Sequence, residues 1–293
     1  MSLVTVGSLA FDSIETPFGK VDRIVGGAGT FIAWASSYFC GSKLISVIGG
    51  DFPESEINLL KNRQIEFEGV EVRKNEKSFF WSGKYHLDMN HRDTLETQLN
   101  VLADFKPVVP ESYQDGRFLM LGNLSPDVQR SVIEQFRTRP KLIVMDTMNF
   151  WMNIAREELD KTIALVDVLM LNDSEARQLT NEYSLITAAN KIMAMGPKYV
   201  VIKKGEHGAF LFYNDEIFFA PALPLEVVFD PTGAGDSFAG GFIGYLAKTN
   251  DISFDNLKKA LIYGSALASF AIEKFGTERL HNITEFELQN RID

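Results

Sequence analysis

The feature that most limits how this chain can fold is a series of short, unbroken apolar β-segments, nearly all followed by a helical stretch. The β-candidates are Leu3–Val6, Lys43–Ile48, Phe118–Leu121, Leu142–Asp146, Val168–Leu171, Tyr199–Lys203 and Ala209–Tyr213. Most lack polar–apolar alternation, as expected of strands covered on both faces of a parallel sheet. Helices are expected over Ala28–Phe39, Pro53–Arg63, Pro126–Phe136, Arg156–Leu165, Ser174–Thr180, Leu185–Met195 and Ala234–Lys248. This alternation reads as a doubly wound α/β sandwich. With 293 residues, no internal repeat and no low-complexity linker, the chain is read as one unit over 1–293.

Two segments break the rhythm. Phe11–Val25 is punctuated by Gly and Pro and suits a hairpin around Pro17-Phe18-Gly19. Phe79–Val101 is polar, aromatic and β-prone. Strand-like insertions at about 11–25 and 79–101 imply a small sheet, either a lid over a site or surface hairpins without function. Composition narrows the partners. A formal charge of -10 repels phosphate backbones, so nucleic acid is not expected, and a phosphate ligand needs local help from amides, a metal ion or lysines. Met1-Ser2-Leu3-Val4 runs straight into a strand pattern with no basic leader, and no apolar stretch reaches the roughly 18 residues of a membrane span. A cytoplasmic, reducing location is expected, with no membrane partner. Cys40 is the single cysteine and reads as a small core residue.

The most informative stretch is Val228-Phe229-Asp230-Pro231-Thr232-Gly233-Ala234-Gly235-Asp236-Ser237-Phe238. An apolar strand end passes through a turn and small residues into an apolar helix. Gly233 and Gly235 allow close backbone approach and unusual dihedral angles. Amides at a helix start point outward with the positive end of the macrodipole, which favours an anion. A carboxylate there repels phosphate, so Asp236 needs a reason. Helix capping is one, but it requires neither the flanking glycines nor Asp230. Phosphoryl transfer to a hydroxyl requires a base for the hydroxyl and donors for the charge building on the phosphoryl oxygens. The run is not a Walker loop, which ends Gly-Lys-Ser/Thr.

Asp-x-x-Gly-Ala-Gly-Asp-x-Phe at 230–238 resembles the C-terminal signature of the PfkB carbohydrate kinases, the ribokinase-like family. Gly26-Gly27 before the first helix resembles the family's di-glycine signature. Asn172-Asp173-Ser174-Glu175 resembles its Asn-x-x-Glu motif, and Lys203-Lys204-Gly205-Glu206-His207-Gly208 its nucleotide loop. The resemblance implies a three-layer α/β/α sandwich with a mostly parallel central sheet and a small β-strand lid. It implies ATP-dependent phosphorylation of a sugar hydroxyl, with Asp236 as base and the amides of Gly233, Ala234 and Gly235 as an anion hole. Asn172 and Glu175 would help hold Mg²⁺ and phosphates, Glu175 through water. Gly205 and Gly208 would line the ATP site. Lys203 stands where relatives often carry a small hydroxyl residue, and would either supply positive charge to ATP or pair with a surface carboxylate. Thr232 would touch a phosphate or cap the helix. On the acceptor side the resemblance implies Asp12, Gly26 and Gly27. Asn123 reads equally as an acceptor contact or a turn asparagine. A monovalent cation (K⁺) near Asp230 and the Ala271–Gly276 segment, and a homodimer through the lid strands, are compatible with it.

The departures bear on the acceptor. The asparagine that usually follows the di-glycine is replaced, with Phe31 in about that position. Asp146-Thr147-Met148-Asn149-Phe150-Trp151 resembles an Asp-Pro-Asn-x-Arg stretch without its Pro or Arg, which argues mildly against an acidic or phosphorylated acceptor. Phe79, Phe80, Trp81 and Tyr85 either stack on a ring or pack the lid. His86 and His91 with Asp88 and Asp93 have no common metal spacing. A nucleoside kinase is the close alternative, and a ligand-binding protein of the same fold without catalysis is a further one. A dinucleotide oxidoreductase is disfavoured because Gly7-Ser8-Leu9-Ala10 lacks the glycines of its fingerprint.

Overall fold

The computed structural model describes residues 3–292; Met1 and Ser2, read above as running into the first strand, lie outside them, as does Asp293. In chain order the strands are β1 (Leu3–Val6), β2 (Ala10–Thr16), β3 (Gly19–Gly26), β4 (Ser42–Gly49), β5 (Ile65–Arg73), β6 (Phe79–Tyr85), β7 (Arg92–Gln98), β8 (Phe118–Leu121), β9 (Leu142–Asp146), β10 (Val168–Asn172), β11 (Tyr199–Lys203), β12 (Ala209–Tyr213) and β13 (Glu216–Ala220). The helices are α1 (Ala28–Ser36), α2 (Glu54–Asn62), α3 (Pro126–Gln135), α4 (Asn149–Ile154), α5 (Arg156–Ile163), α6 (Asp173–Thr180), α7 (Leu185–Met193), α8 (Ala234–Thr249), α9 (Phe254–Ala271) and α10 (Glu285–Asn290).

Nine strands form one sheet in the order β13-β12-β11-β10-β9-β8-β1-β4-β5. The strands from β11 to β5 pair in parallel, whereas β12 and β13 are antiparallel additions. Successive side chains of a strand point to opposite faces, and here both faces are covered. Val4, Val6, Ile143, Met145, Leu169 and Leu171 pack with residues of α3, α5, α6 and α7. Their neighbours Leu3, Leu142, Val144, Val168 and Met170 pack with residues of α1, α8 and α9. The expected three-layer sandwich is therefore the observed one. Every β-segment expected from its apolar run is a strand of this sheet. Two strands were not anticipated, β5 and β13, and they are its two edges. An edge strand is half solvated, so Ile65-Glu66-Phe67-Glu68 and Glu216-Ile217-Phe218 do not read as buried runs. Helices α4, α9 and α10 likewise go beyond the expected set.

The two insertions form a second sheet, β3-β2-β6-β7. The β2–β3 hairpin turns at Pro17-Phe18, as expected, and β6 and β7 pair antiparallel across Tyr85 and Arg92. Strand β7 is exposed along its whole length. Cys40 is half-buried just beyond α1, and burial pushes its thiol up to about 11. No helix among the described residues is long and apolar enough to cross a membrane.

Helices α1 and α8 cross closely through small residues. A Cβ on Gly240 would lie 2.5 Å from the Ile32 carbonyl oxygen and 2.8 Å from Ala35 Cβ. Because α1 starts at the di-glycine and α8 at the Gly-Ala-Gly-Asp run, this contact sets how far apart those two starts lie. We expect Gly240→Val to destabilise the fold by about 1–3 kcal/mol through overpacking, outweighing the few tenths gained in helix propensity. Urea unfolding checks it, and an unchanged midpoint would mean that the helices separate without cost.

Candidate active site

The candidate residues gather at one edge of the large sheet because five parallel strands end there. Asp12 follows β1, Asn123 follows β8, and Asp146, Asn172 and Lys203 are the last residues of β9, β10 and β11. Open α/β sheets bind ligands outside these carboxyl ends. Helix α6 carries Glu175 in from one face of the sheet, and α8 carries Asp236 in from the other.

The Gly-Ala-Gly-Asp run forms the first turn of α8. Gly233 is its N-cap at φ 75°, a left-handed conformation that favours glycine, and a side chain there would also run into the ring of Phe31. Phe31 itself is fully buried, so in the asparagine's place stands a ring that supports the turn from beneath. No side chain caps α8, which removes the capping explanation for Asp236. Thr232 caps nothing either. Its hydroxyl donates to Tyr85 Oη at 3.1 Å, and its amide donates to Asp230 Oδ1 at 2.9 Å. The other oxygen of Asp230 accepts from Gly276 N at 2.9 Å, which joins the turn to the segment after α9. Of the three expected anion-hole amides, Ala234 N already donates to Pro231 O at 3.2 Å. No partner among the described residues takes the amides of Gly233 and Gly235.

Around this turn most of the charges are withdrawn from water, with Asp236 half-buried and Arg92 exposed. Burial pushes Asp236 up to about 7; the charge of Asp146 adds to the shift, while Lys203 and Arg92 hold it back. Glu175 also rises to about 7, through burial first, against the pull of Lys203. Lys203 does not pair with a surface carboxylate. Its Nζ lies 2.8 Å from the buried Asp146 Oδ1, and a Cβ on Gly235 would sit 3.0 Å from that nitrogen. Burial opposes its charge, but Asp146, Glu175 and Asp236 together raise its pKa. On the acceptor side, Asp12 is buried, accepts from the Gly27 amide and rises to about 7 through burial and the charge of Asp230. A Cβ on Gly26 would collide with its carboxylate, so the first glycine makes room for Asp12.

The Asn-x-x-Glu motif is a capping box. Asn172 Oδ1 accepts from Glu175 N at 2.8 Å, and Glu175 Oε2 accepts from Asn172 N at 2.7 Å. The cap occupies Asn172 and one oxygen of Glu175, but leaves the carboxylate beside Lys203 and Asp146. Trp151 Nε1 donates to Asn123 Oδ1 at 2.8 Å, and Asn123 Nδ2 contacts Met148 Sδ at 2.9 Å. In the nucleotide loop, Gly205 has φ 53° and Gly208 φ 95°. Asn90 Oδ1 comes within 3.0 Å of where a Gly205 Cβ would be, so the lid turn reaches this loop.

Sequence reasoning missed Arg92. Its guanidinium, on lid strand β7 over Trp81, favours the ionised forms of both Asp236 and Glu175. No spacing in a polar run signals that effect. Of the lid aromatics, Phe80 packs against the core, Trp81 lies over its own strand at Gly83, and Tyr85 is buried against Thr232. His86 pairs with Asp93 at 3.0 Å and His91 with Asp88 at 2.5 Å. Buried carboxylate beside an amide cradle fits a divalent ion and a polyphosphate.

Residues 2–283 match the family described as "pfkB family carbohydrate kinase". The cytidine kinase of Thermococcus kodakarensis is 30% identical over 253 residues, covering 84% of this chain and 88% of that protein. The nucleoside kinase of Methanocaldococcus jannaschii has the same fold, with TM-score 0.79 and 21% identity over 100% of this chain and 98% of its own. So does an E. coli protein solved with ATP and Mg²⁺, with TM-score 0.81 and 20% identity over 99% and 98% of the two chains. The chain belongs to the PfkB carbohydrate kinase family, and is a kinase of sugars or nucleosides.

Proposed function

We propose that the chain, as one catalytic unit, transfers the γ-phosphoryl group of ATP to a hydroxyl of a sugar, with Asp236 as general base. The observation that carries this reading is Asp236 itself: a half-buried carboxylate inside an amide cradle, raised to about 7 and beside Lys203. Asp236 takes the hydroxyl proton, the hydroxyl oxygen bonds to the γ-phosphorus, and the bond to the bridging oxygen breaks to release ADP. The amides of Gly233 and Gly235, with Lys203, face the charge on the transferred group. Bound Mg²⁺ supplies neutralising charge on the phosphates. Asp12 grips acceptor hydroxyls, with Gly26 and Gly27 giving the backbone close approach. K⁺ beside Asp230 and a homodimer along the exposed β7 edge belong to the same proposal, supported by the buried Asp230 carboxylate and by the position of β7 at the edge of its sheet.

A nucleoside acceptor is the second reading, favoured by the identity to a cytidine kinase and by the loss of the sugar-contacting asparagine to Phe31. ADP release measured against panels of sugars and nucleosides separates the two. Absence of turnover with every hydroxyl compound would sink both.

Asp236→Asn is expected to lower kcat by about 10²–10⁴-fold while leaving the Kd for Mg-ATP nearly unchanged, since only the base is removed. Turnover near the wild-type rate would end the assignment. The same variant should melt higher than wild type at pH 8. A folded pKa of about 7 against 3.8 means that the stability this carboxyl contributes is present below pH 4 and lost as pH rises through 7, so the gain fades toward pH 4. A gain independent of pH would contradict the buried-carboxylate account.

The acid limb of kcat/KM should fall near pH 7 in the free enzyme. Arg92→Ala removes a charge that favours ionised Asp236, so the limb should move to higher pH. A limb that stays in place would show that the lid guanidinium does not act on the base.

A further inference from the structure

Lys203 and Asp146 close a contact at the carboxyl end of the large sheet. The two residues end strands separated by β10, so the lysine stem crosses the tip of that strand to put Nζ 2.8 Å from Asp146 Oδ1. Both side chains are largely buried, at 16% and 9% exposure. Desolvating two charges costs free energy that their attraction offsets only in good geometry, so such a pair is weak evidence for a stabilising role. The same ammonium also faces Gly235, 3.0 Å from the place of its missing Cβ, and so lies beside the amide cradle at the start of α8.

Lysine is a compact charge on a flexible stem, and it serves transfer only if that stem is held. Asp146 has the opposite defect. Its negative charge lies close to where a polyphosphate must bind, which disfavours the ground-state complex. A residue with that liability is understandable if its benefit appears in the transition state.

We propose that Asp146 is a positioning residue for phosphoryl transfer, holding the Lys203 ammonium against the Gly233–Gly235 cradle so that it meets the oxygens of the transferred group. The inference rests on the kinase reading above and adds a residue to it. Glu175 and Asp236 also face this ammonium, but neither hydrogen-bonds to it: Glu175 Oε2 is engaged in its cap, and Asp236 acts on Lys203 through charge alone. Asp146 is the carboxylate in contact.

The test compares Asp146→Asn, Lys203→Met and the double variant. Steady-state kinetics use the best acceptor from the panel, and calorimetry measures Mg-ATP binding without turnover. Asn keeps the shape and a neutral acceptor at 146, and a thermal melt establishes that each variant is folded. Asp146→Asn should lower kcat about tenfold or more, with the Kd for Mg-ATP unchanged or tighter. Lys203→Met should lower kcat and weaken Mg-ATP binding. The double variant should be no slower than Lys203→Met, because the two residues act as one unit. The proposal is overturned if Asp146→Asn keeps kcat within about twofold of wild type, if its loss lies in the acceptor KM, or if the two losses multiply. Should wild type turn over no acceptor, the kinase reading falls, and binding still decides the pair. Weaker Mg-ATP binding in Lys203→Met alone supports the role; equal weakening in both variants refutes it.

Discussion

Burial of the central strands on both faces is the constraint on which the rest of this structure depends. With Val4, Val6, Leu169 and Leu171 turned to one helix layer and Leu3, Val168 and Met170 to the other, the strands are mostly apolar along their length. Polar chemistry is displaced to their ends. Parallel pairing sends the carboxyl ends of β8 to β11 and of β1 to one edge, so residues far apart in sequence meet there. The small-residue crossing of α1 and α8 then brings the di-glycine and the Gly-Ala-Gly-Asp turn together.

The site that results is electrostatically expensive. Asp12, Glu175 and Asp236 all sit near 7 because burial penalises their charged forms, while Lys203 and Arg92 hold the last two down. Hydrogen bonds brace the assembly where charge would otherwise push it apart. Asp230 joins the turn to Gly276, the Asn172–Glu175 box closes α6, and Asp146 restrains Lys203. The lid adds contacts from above, with Tyr85 on Thr232 and Asn90 near Gly205. A kinase profits from such groups, since a carboxylate titrating near neutrality is a competent base.

Much of this was legible in one dimension, for definable reasons. Apolar runs marked the buried strands and failed only at β5 and β13, where one side meets water. The Gly-Ala-Gly-Asp run announced both a helix start and a misplaced carboxylate. Local motifs were ambiguous where one residue type serves two purposes. Asn172 and Glu175 read as nucleotide residues and also form a cap, and Asn123 turned out to hold Trp151. Phe31 looked like a change in acceptor contact, yet its ring lies under Gly233.

The sequence by itself determined the order of the buried strands, the Gly-Ala-Gly-Asp turn, the two lid insertions and the family resemblance, because these depend on local propensity, period and spacing. Only the tertiary structure decided which charges gather at the sheet edge. Pairing Lys203 with Asp146 depends on strand order across β10, and bringing Arg92 to Asp236 depends on how the lid folds over the sheet edge. Pair energies rise steeply as water is excluded, and no spacing along the chain encodes where that exclusion occurs.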